Sequence, residues 1–303
     1  MRAALLSVLL LVALLPRTAT STQAERYCAP TLRLDHVVIA VHDPEAAEAT
    51  YRALGFSPKP GRLHSSGLRN LHLKMPYGGE LELMSVGPPP RESEPSDGDG
   101  EDKIAAAYRR FLDPSRGSGE GGAYLALVSE DLDAVVACLR AAGFDPHRWT
   151  AGGHEYVTFP EHPELAHLFF LGGRGTLPLP EDAPAGYLDH ANWAKTLDEV
   201  HLDGTPEVLG VLLEALGAPR SADGAGYNLA CGRVVFTPPE AAGARPRVRG
   251  VVLGGTSPFE ADSSEAGGTA EAPDETYRVS AAKAHGIWLE LPRRPSFDTD
   301  PND

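Results

Sequence analysis

Two periods govern the placement of apolar residues along this chain. Short runs rich in Val, Leu and Ile alternate with segments in which apolar side chains recur at helical spacing. "VVIAV" (Val37–Val41), "AYLALV" (Ala123–Val128) and "LDEVHL" (Leu197–Leu202) read as strands. Each leads into a helical pattern: "DPEAAEATYRALGF" from Asp43, "DLDAVVACLRAAGF" from Asp131 and "TPEVLGVLLEALGA" from Thr205. Further strand-like runs follow. After the first helix come "LRNLHLKM" and "GELELMSV"; after the second, "EYVTF" and "AHLFFL"; after the third, "YNLACGRVVF", "RVRGVVLGG" and "HGIWLELP".

The three helical segments align without gaps at offsets of 88 and 162 residues. Asp43, Asp131 and Thr205 stand where an N-cap side chain accepts from first-turn amides. Pro44 and Pro206 take the first helical position, which needs no amide hydrogen. Ala47, Tyr51 and Leu54 recur as Val135, Leu139 and Ala142 and as Leu209, Leu213 and Leu216, and Gly55, Gly143 and Gly217 close each helix. The chain thus reads as one strand–helix–strands unit used three times, over 32–86, 122–173 and 190–292. An acidic, Pro-rich linker with a helix, 87–121, separates the first two units. The third carries an acidic insert, 256–275, whose composition predicts disorder, as does that of the tail 293–303.

A repeated βαβββ unit that opens on Asp35-His36 with an apolar strand and closes on a Leu-Glu-Leu strand resembles the vicinal oxygen chelate superfamily, and within it the glyoxalase-like domain branch. "LDHVVIAVHDPEAA", "LGFSPKPGRLHSSGLRN", "GGELELMSV" and the restart "DHANWAKTLDEVHL" carry the resemblance, which spans Leu32 to about Leu291. It implies an α+β fold: repeated βαβββ modules forming a cupped, barrel-like mixed sheet with helices outside. Metal-using members hold a divalent ion between a first-strand His and a last-strand Glu from each of two modules.

On that resemblance His36 and Glu82 match the first-strand and last-strand ligands. A neutral imidazole and a carboxylate suit Fe, Mn, Ni or Zn. The second module departs from the pattern: Tyr124 stands at the His36 position, and the Glu82 position falls in "HLFFL", which has no carboxylate. The third unit offers Asp198, with His201 nearby, and Glu290 in "IWLEL" as the remaining ligands, with Glu290 also a candidate proton carrier. His64 and Asn70 stand at recurrent positions of the branch and are expected to bind substrate oxygens. His72 shares the face of Asn70, and Tyr124, His190 and Asn192 complete the substrate-binding candidates. His162 and His167 in "HPELAH" have a spacing that suits neither helix nor strand and read as solvated loop.

Composition narrows the partners. A formal charge of −15 argues against nucleic acid, whose phosphates require clustered Lys and Arg. Arg2, the apolar run Ala3–Leu15 and the small, polar "RTATSTQA" have the layout of a secretory signal peptide, residues 1–24, with Ala24 before the cleavage point. The run is shorter than the roughly 18 apolar residues of a membrane span, so no membrane association is expected after cleavage. A secreted protein permits a disulfide, and Cys28–Cys231 is the expected pair, Cys138 reading as a core residue. No Asn-X-Ser/Thr sequon is present.

These readings point to an exported protein that binds a small organic molecule. They leave two functions open: a divalent-metal-dependent lyase, isomerase or ring-cleaving enzyme, and a metal-free sequestering protein. A homodimer is left open as well.

Overall fold

In a computed structural model the described residues are 30–88, 99–113, 115, 119–151, 153–173, 185–204, 207–237, 247–255 and 276–292. The expected signal peptide, the acidic insert and the tail lie outside them. So does Cys28; its expected partner Cys231 is an exposed, free thiol.

β1 (Arg33–Ala40) runs into α1 (Pro44–Ala53), β2 (Lys59–Leu63), β3 (Leu68–Lys74) and β4 (Glu80–Val86). Next come α2 (Asp99–Leu112), β5 (Gly121–Ser129), α3 (Leu132–Ala141), β6 (His147–Ala151), β7 (His154–Thr158) and β8 (Leu168–Gly172). β9 (Thr196–Asp203), α4 (Leu209–Ala215), β10 (Gly226–Asn228), β11 (Arg233–Thr237), β12 (Val248–Gly254), β13 (Tyr277–Val279) and β14 (Trp288–Leu291) follow.

The caps of the first two repeated helices form as their sequences require. Asp43 accepts from the Ala46 amide at 2.9 Å and Asp131 from the Ala134 amide at 2.8 Å. Gly55, Gly143 and Gly217 close α1, α3 and α4 with φ of 83°, 89° and 80°, where a Cβ would be strained. Thr205 and Pro206 lie outside the described residues, and α4 starts after Val208 without a side-chain cap.

All fourteen strands join one open mixed sheet, ordered β10-β11-β9-β12-β5-β1-β4-β3-β2, with β8 and β7–β6 branching from β5 and β14–β13 from β12. The first and last strands of each module lie side by side and parallel: β1 with β4, β5 with β8, β9 with β11, β12 with β14. The segment 190–292, read from sequence as one unit, therefore holds two such pairs. Antiparallel pairing joins β1 to β5 and, separately, β9 to β12. The halves meet where β5 crosses β12 at Gly122 and Val248, a contact so close that a Cβ on Gly122 would sit 2.5 Å from the valine Cβ. Two cups result, one from β1–β8 and one from β9–β14.

Alternation along the strands sorts the side chains. Val37, Ile39, Leu81, Leu83, Leu125 and Leu127 face one way into the main core with Tyr51 of α1, Leu139 of α3 and Leu213 of α4. Val38, Ala40 and Met84 face the other way, and there α2 lies against them with Ala105, Tyr108 and Leu112. The first cup is thus plugged along part of its concave face by a helix, and what remains open is lined by both polar and aromatic side chains.

Candidate functional site

The open part of the first cup is a cavity of about 1230 Å³, roomier than the roughly 300–1,000 Å³ of ordinary ligand sites. His36 of β1 and Glu82 of β4 line it. The parallel register sets Val38 beside Glu82, one step along from His36, and brings the imidazole Nε2 to 3.6 Å from Glu82 Oε2. On its other side the ring donates through Nδ1 to the buried carboxylate of Asp35 at 2.6 Å. Asp35 reaches the ring because it is the extra residue of a β-bulge: Leu34 pairs with Leu127 and His36 with Ala126, leaving Asp35 unmatched. Bulges re-aim side chains in this way beside functional sites.

Burial alone would drive the His36 pKa down. The hydrogen bond and charge of Asp35, with the charges of Glu82 and Glu80, outweigh it and raise the pKa to about 9. At neutral pH the ring is an imidazolium between two carboxylates. Glu82 is further fixed by Asn70, whose Nδ2 donates to Oε1 at 2.8 Å while its Oδ1 accepts from the Arg62 amide at 2.9 Å. Asn70 can stand there because residue 61 is glycine; a Cβ at that position would lie 2.0 Å from Asn70 Oδ1.

One row along, buried Glu80 accepts from Lys74 Nζ at 2.6 Å and is bonded to His72 Nδ1. Burial would raise its pKa, but His72, Lys74 and His36 bring it down to about 2. His64, in the turn between β2 and β3, lines the same cavity. The sequence-derived set His36, His64, Asn70, His72, Glu82 and Tyr124 is therefore gathered at one site.

The remaining candidates are elsewhere. His190 Nδ1 accepts from the Ser57 amide at 3.1 Å, and its Nε2–H donates to the Lys74 carbonyl at 3.0 Å. Asn192, fully buried, donates to the Leu54 carbonyl at the end of α1. Both brace the first module and neither lines the cavity. Asp198 is exposed on β9, and Glu290 of β14 pairs across β13 and β12 with Arg278 and Val252. The expectation that they join His36 and Glu82 is corrected by the topology: β9, β12 and β14 belong to the second cup. The other half of the first cup is built by β5 and β8, and the residues there are aromatic. Tyr124 stands 5.3 Å from Tyr108 and 6.3 Å from Phe169 between ring centroids, and Phe169 lies 5.6 Å from His36. The register pairs Ala126 with Phe169 as it pairs Val38 with Glu82, so Phe169 occupies the Glu82 position of the second module.

A divalent ion does not fit this donor set. Two donors, His36 and Glu82, come together; the matching pair is a phenol and a phenyl ring, and burial pushes the Tyr124 hydroxyl pKa upward, keeping it neutral. Among the described residues no three His, Cys, Asp or Glu side chains gather where one ion could be held.

Sequence reasoning missed Asp35, Lys74 and the aromatic wall. Trp149 of β6 stacks on Tyr156 of β7 at 4.5 Å, and Tyr156 lies 6.0 Å from Phe169. The alternation of Trp149 with Ala151 and of Tyr156 with Thr158 was the available signal. His167, expected in solvated loop, is 5% exposed with no hydrogen-bond partner at either ring nitrogen.

The module topology is that of a glyoxalase-like α+β fold. The chain belongs to the glyoxalase-like domain family, whose model matches residues 34–208. A hypothetical protein from Staphylococcus aureus is similar to it in crystal structure, with a TM-score of 0.57 at 10% identity over 86% of this chain and 98% of that one. Methylmalonyl-CoA epimerase in complex with methylmalonyl-CoA and NH4+ matches 47% of this chain and 95% of its own at 24% identity and a TM-score of 0.33. A xylose isomerase-like TIM barrel/4-hydroxyphenylpyruvate dioxygenase fusion protein matches 79% of this chain and 39% of its own, at 18% identity and a TM-score of 0.47. At 10% identity the likeness to the Staphylococcus aureus protein is one of fold alone. No curated protein matches the chain.

Proposed function

We propose that the chain binds a small, planar organic molecule in the first cup and moves a proton on it without a metal. The observation that carries this is the line Asp35–His36–Glu82, an imidazolium and a carboxylate side by side at the cavity wall. Glu82 takes a proton from a carbon acidified by a neighbouring carbonyl, and His36 gives its Nε2 proton to that carbonyl oxygen. The result is an enol; His36 takes back the enol O–H proton as Glu82 delivers its proton to another carbon of the conjugated system, which completes an isomerisation. Asp35 holds the ring's orientation and charge. Trp149, Tyr156 and Phe169 offer flat apolar surface for the ligand body, and His64 and Lys59 line the polar side.

The test is hydrogen–deuterium exchange at carbon, followed by NMR in heavy water, on cyclic and aromatic carbonyl compounds first selected by binding. Exchange that survives a chelator and is lost in both His36→Gln and Glu82→Gln, with binding retained, supports the reading. A stoichiometric Fe, Mn, Ni or Zn in untagged protein that is lost in His36→Ala would overturn the metal-free part. The second reading, a sequestering protein of the same fold, is favoured by the aromatic pair Tyr124 and Phe169; binding without exchange in the wild type would establish it. We infer export from the layout of residues 1–24. A mature N-terminus at Glu25 is its check.

A further inference from the structure

The described residues enclose another cavity, of about 460 Å³, outside the first cup. Thr50 of α1, Glu120 before β5, Arg247 and Arg249 at the start of β12, and the segment from Ala281 to Trp288 that leads into β14 form its walls. Three permanent cations face it, Arg247, Arg249 and Lys283, in a chain of formal charge −15. Asp203, buried behind them, takes the Nε of both guanidiniums, at 3.4 Å for Arg247 and 3.1 Å for Arg249, and so fixes the two side by side. One carboxylate between two guanidiniums leaves a positive charge. The cavity's own carboxylate, Glu120, is engaged by the His42 amide at 2.7 Å and the His285 ring at 2.9 Å.

The wall around these cations is in part strained. His285 is a non-glycine residue at φ 53°, held by Glu120, by Thr50 Oγ1 at 3.2 Å and by stacking on Tyr51. Such outliers persist only where the surroundings over-determine them, and they cluster at ligand sites. Trp288 lines the cavity with a ring held from both faces. Its ring lies against Gly250 so closely that a Cβ there would be 1.9 Å from the indole, with the Arg278 guanidinium 4.3 Å from the ring centroid and His201 edge-on at 4.7 Å.

We propose that this cavity is a second ligand site, taking a small organic molecule that bears a phosphate or carboxylate, with the acid group on Arg247, Arg249 and Lys283 and the body against Trp288. Paired guanidiniums suit oxyanions because their planar forks match the acceptor geometry. The volume exceeds that of a bare inorganic ion, so the organic body contributes to binding.

The chain has three tryptophans, so a full-length Trp149→Phe/Trp193→Phe protein reports on Trp288 alone. Titration with phenyl phosphate, benzoate and inorganic phosphate is expected to give a saturable change in Trp288 emission with at least one organic acid. Which of the two it is names the acid group. In the same background Arg247→Gln should weaken that affinity roughly tenfold, and Lys283→Ala several-fold, in line with loss of one charge-assisted contact. Lys283 is exposed, and its replacement leaves the Asp203 cluster intact should Arg247→Gln fail to fold. Three outcomes overturn the proposal: no saturable change into the millimolar range, unchanged affinity in Lys283→Ala, or inorganic phosphate binding as tightly as phenyl phosphate, which would mean an adventitious ion only.

Discussion

His36 Nε2 stands 3.6 Å from Glu82 Oε2, on the side of the ring away from Asp35. The imidazole is thus flanked by two carboxylates, and this relationship controls both its charge and its contribution to folding. The folded ring has a pKa of about 9 against 6.5 for the ordinary side chain. A group whose folded pKa is raised binds its proton more tightly in the native state. Its stabilisation is complete below pH 6.5 and is lost as pH rises through about 9, with an upper bound of roughly 3 kcal/mol. Urea midpoints measured across this range should fall on the alkaline side in the wild type and stay flatter in His36→Gln. Parallel losses in the two proteins would contradict the assignment.

Among the buried groups that act on the acid limb, Glu80 and His167 have the most strongly lowered pKa values. Glu80, with a folded pKa of about 2 against 4.5, stabilises the fold above pH 4.5 and loses that contribution as pH falls toward 2. His167 acts sooner. Burial holds its pKa near 4, so below pH 6.5 the unfolded chain takes up a proton that the native state refuses. Stability therefore starts to fall between pH 6.5 and about 4. His167→Leu, at a position 5% exposed, should reduce that first loss, to which His190 and His201 also contribute because burial lowers their pKa values too, and leave the one below it. A wild-type midpoint constant from pH 6.5 to 4 would refute the role given to His167.

Asn192 and His190 are structural by their partners. Asn192→Ala removes the donor to the Leu54 carbonyl at the end of α1 and leaves buried backbone groups unpaired. The expected cost is about 1–3 kcal/mol, read as a lower thermal midpoint. Affinity for a first-cup ligand should be unchanged, because the side chain does not line the cavity. A large loss of affinity at unchanged stability would place Asn192 in the site instead.

Much of this arrangement was legible in the chain, and the exceptions have physical causes. Amphipathic helices with Asp caps and Gly closers announce themselves, and α1 and α3 formed where their patterns lay. His36, Asn70 and Glu82 could be grouped because they sit on strands with clear alternation. Edge strands β2 (Lys59–Leu63) and β6 (His147–Ala151) carry mostly exposed residues and no apolar run, so nothing in their pattern marked them. The separation of Glu290 and Asp198 from His36 was beyond reach for another reason. Local pattern gives strands, but it was the pairing of β9 with β12 across 46 or more residues (from Leu202 to Val248 upward) that formed a second cup. Asp35 needed a bulge, which a single residue's identity does not disclose.

Gly61 makes the Asn70–Glu82 contact available. In Gly61→Ala the new methyl would meet Asn70 Oδ1 at 2.0 Å and the Asn70 carbonyl at 2.5 Å, so the side chain must leave Glu82. The strand-edge location keeps the stability cost to about 1–3 kcal/mol. Proton exchange on a bound ligand should drop more than its affinity, because Glu82 loses the group that orients it. Retention of full exchange activity would show that Asn70 does not position Glu82.

The aromatic pair in the second module makes a constructive prediction. The register places Tyr124 and Phe169 on β5 and β8 as His36 and Glu82 are placed on β1 and β4. Phe169 already touches the His36 ring at 5.6 Å between centroids. Tyr124→His with Phe169→Glu would therefore aim two imidazoles and two carboxylates at one point, a donor set that suits Zn or Ni at metal–ligand distances of about 2 Å. The double variant should bind one ion per chain, measured by elemental analysis after gel filtration, and His36→Ala added to it should weaken that binding by removing one of the four donors. Each single variant supplies three donors and should bind more weakly. If the double variant acquires no metal while remaining folded, the correspondence between the two halves of the cup is wrong, and Tyr124 and Phe169 face elsewhere in solution.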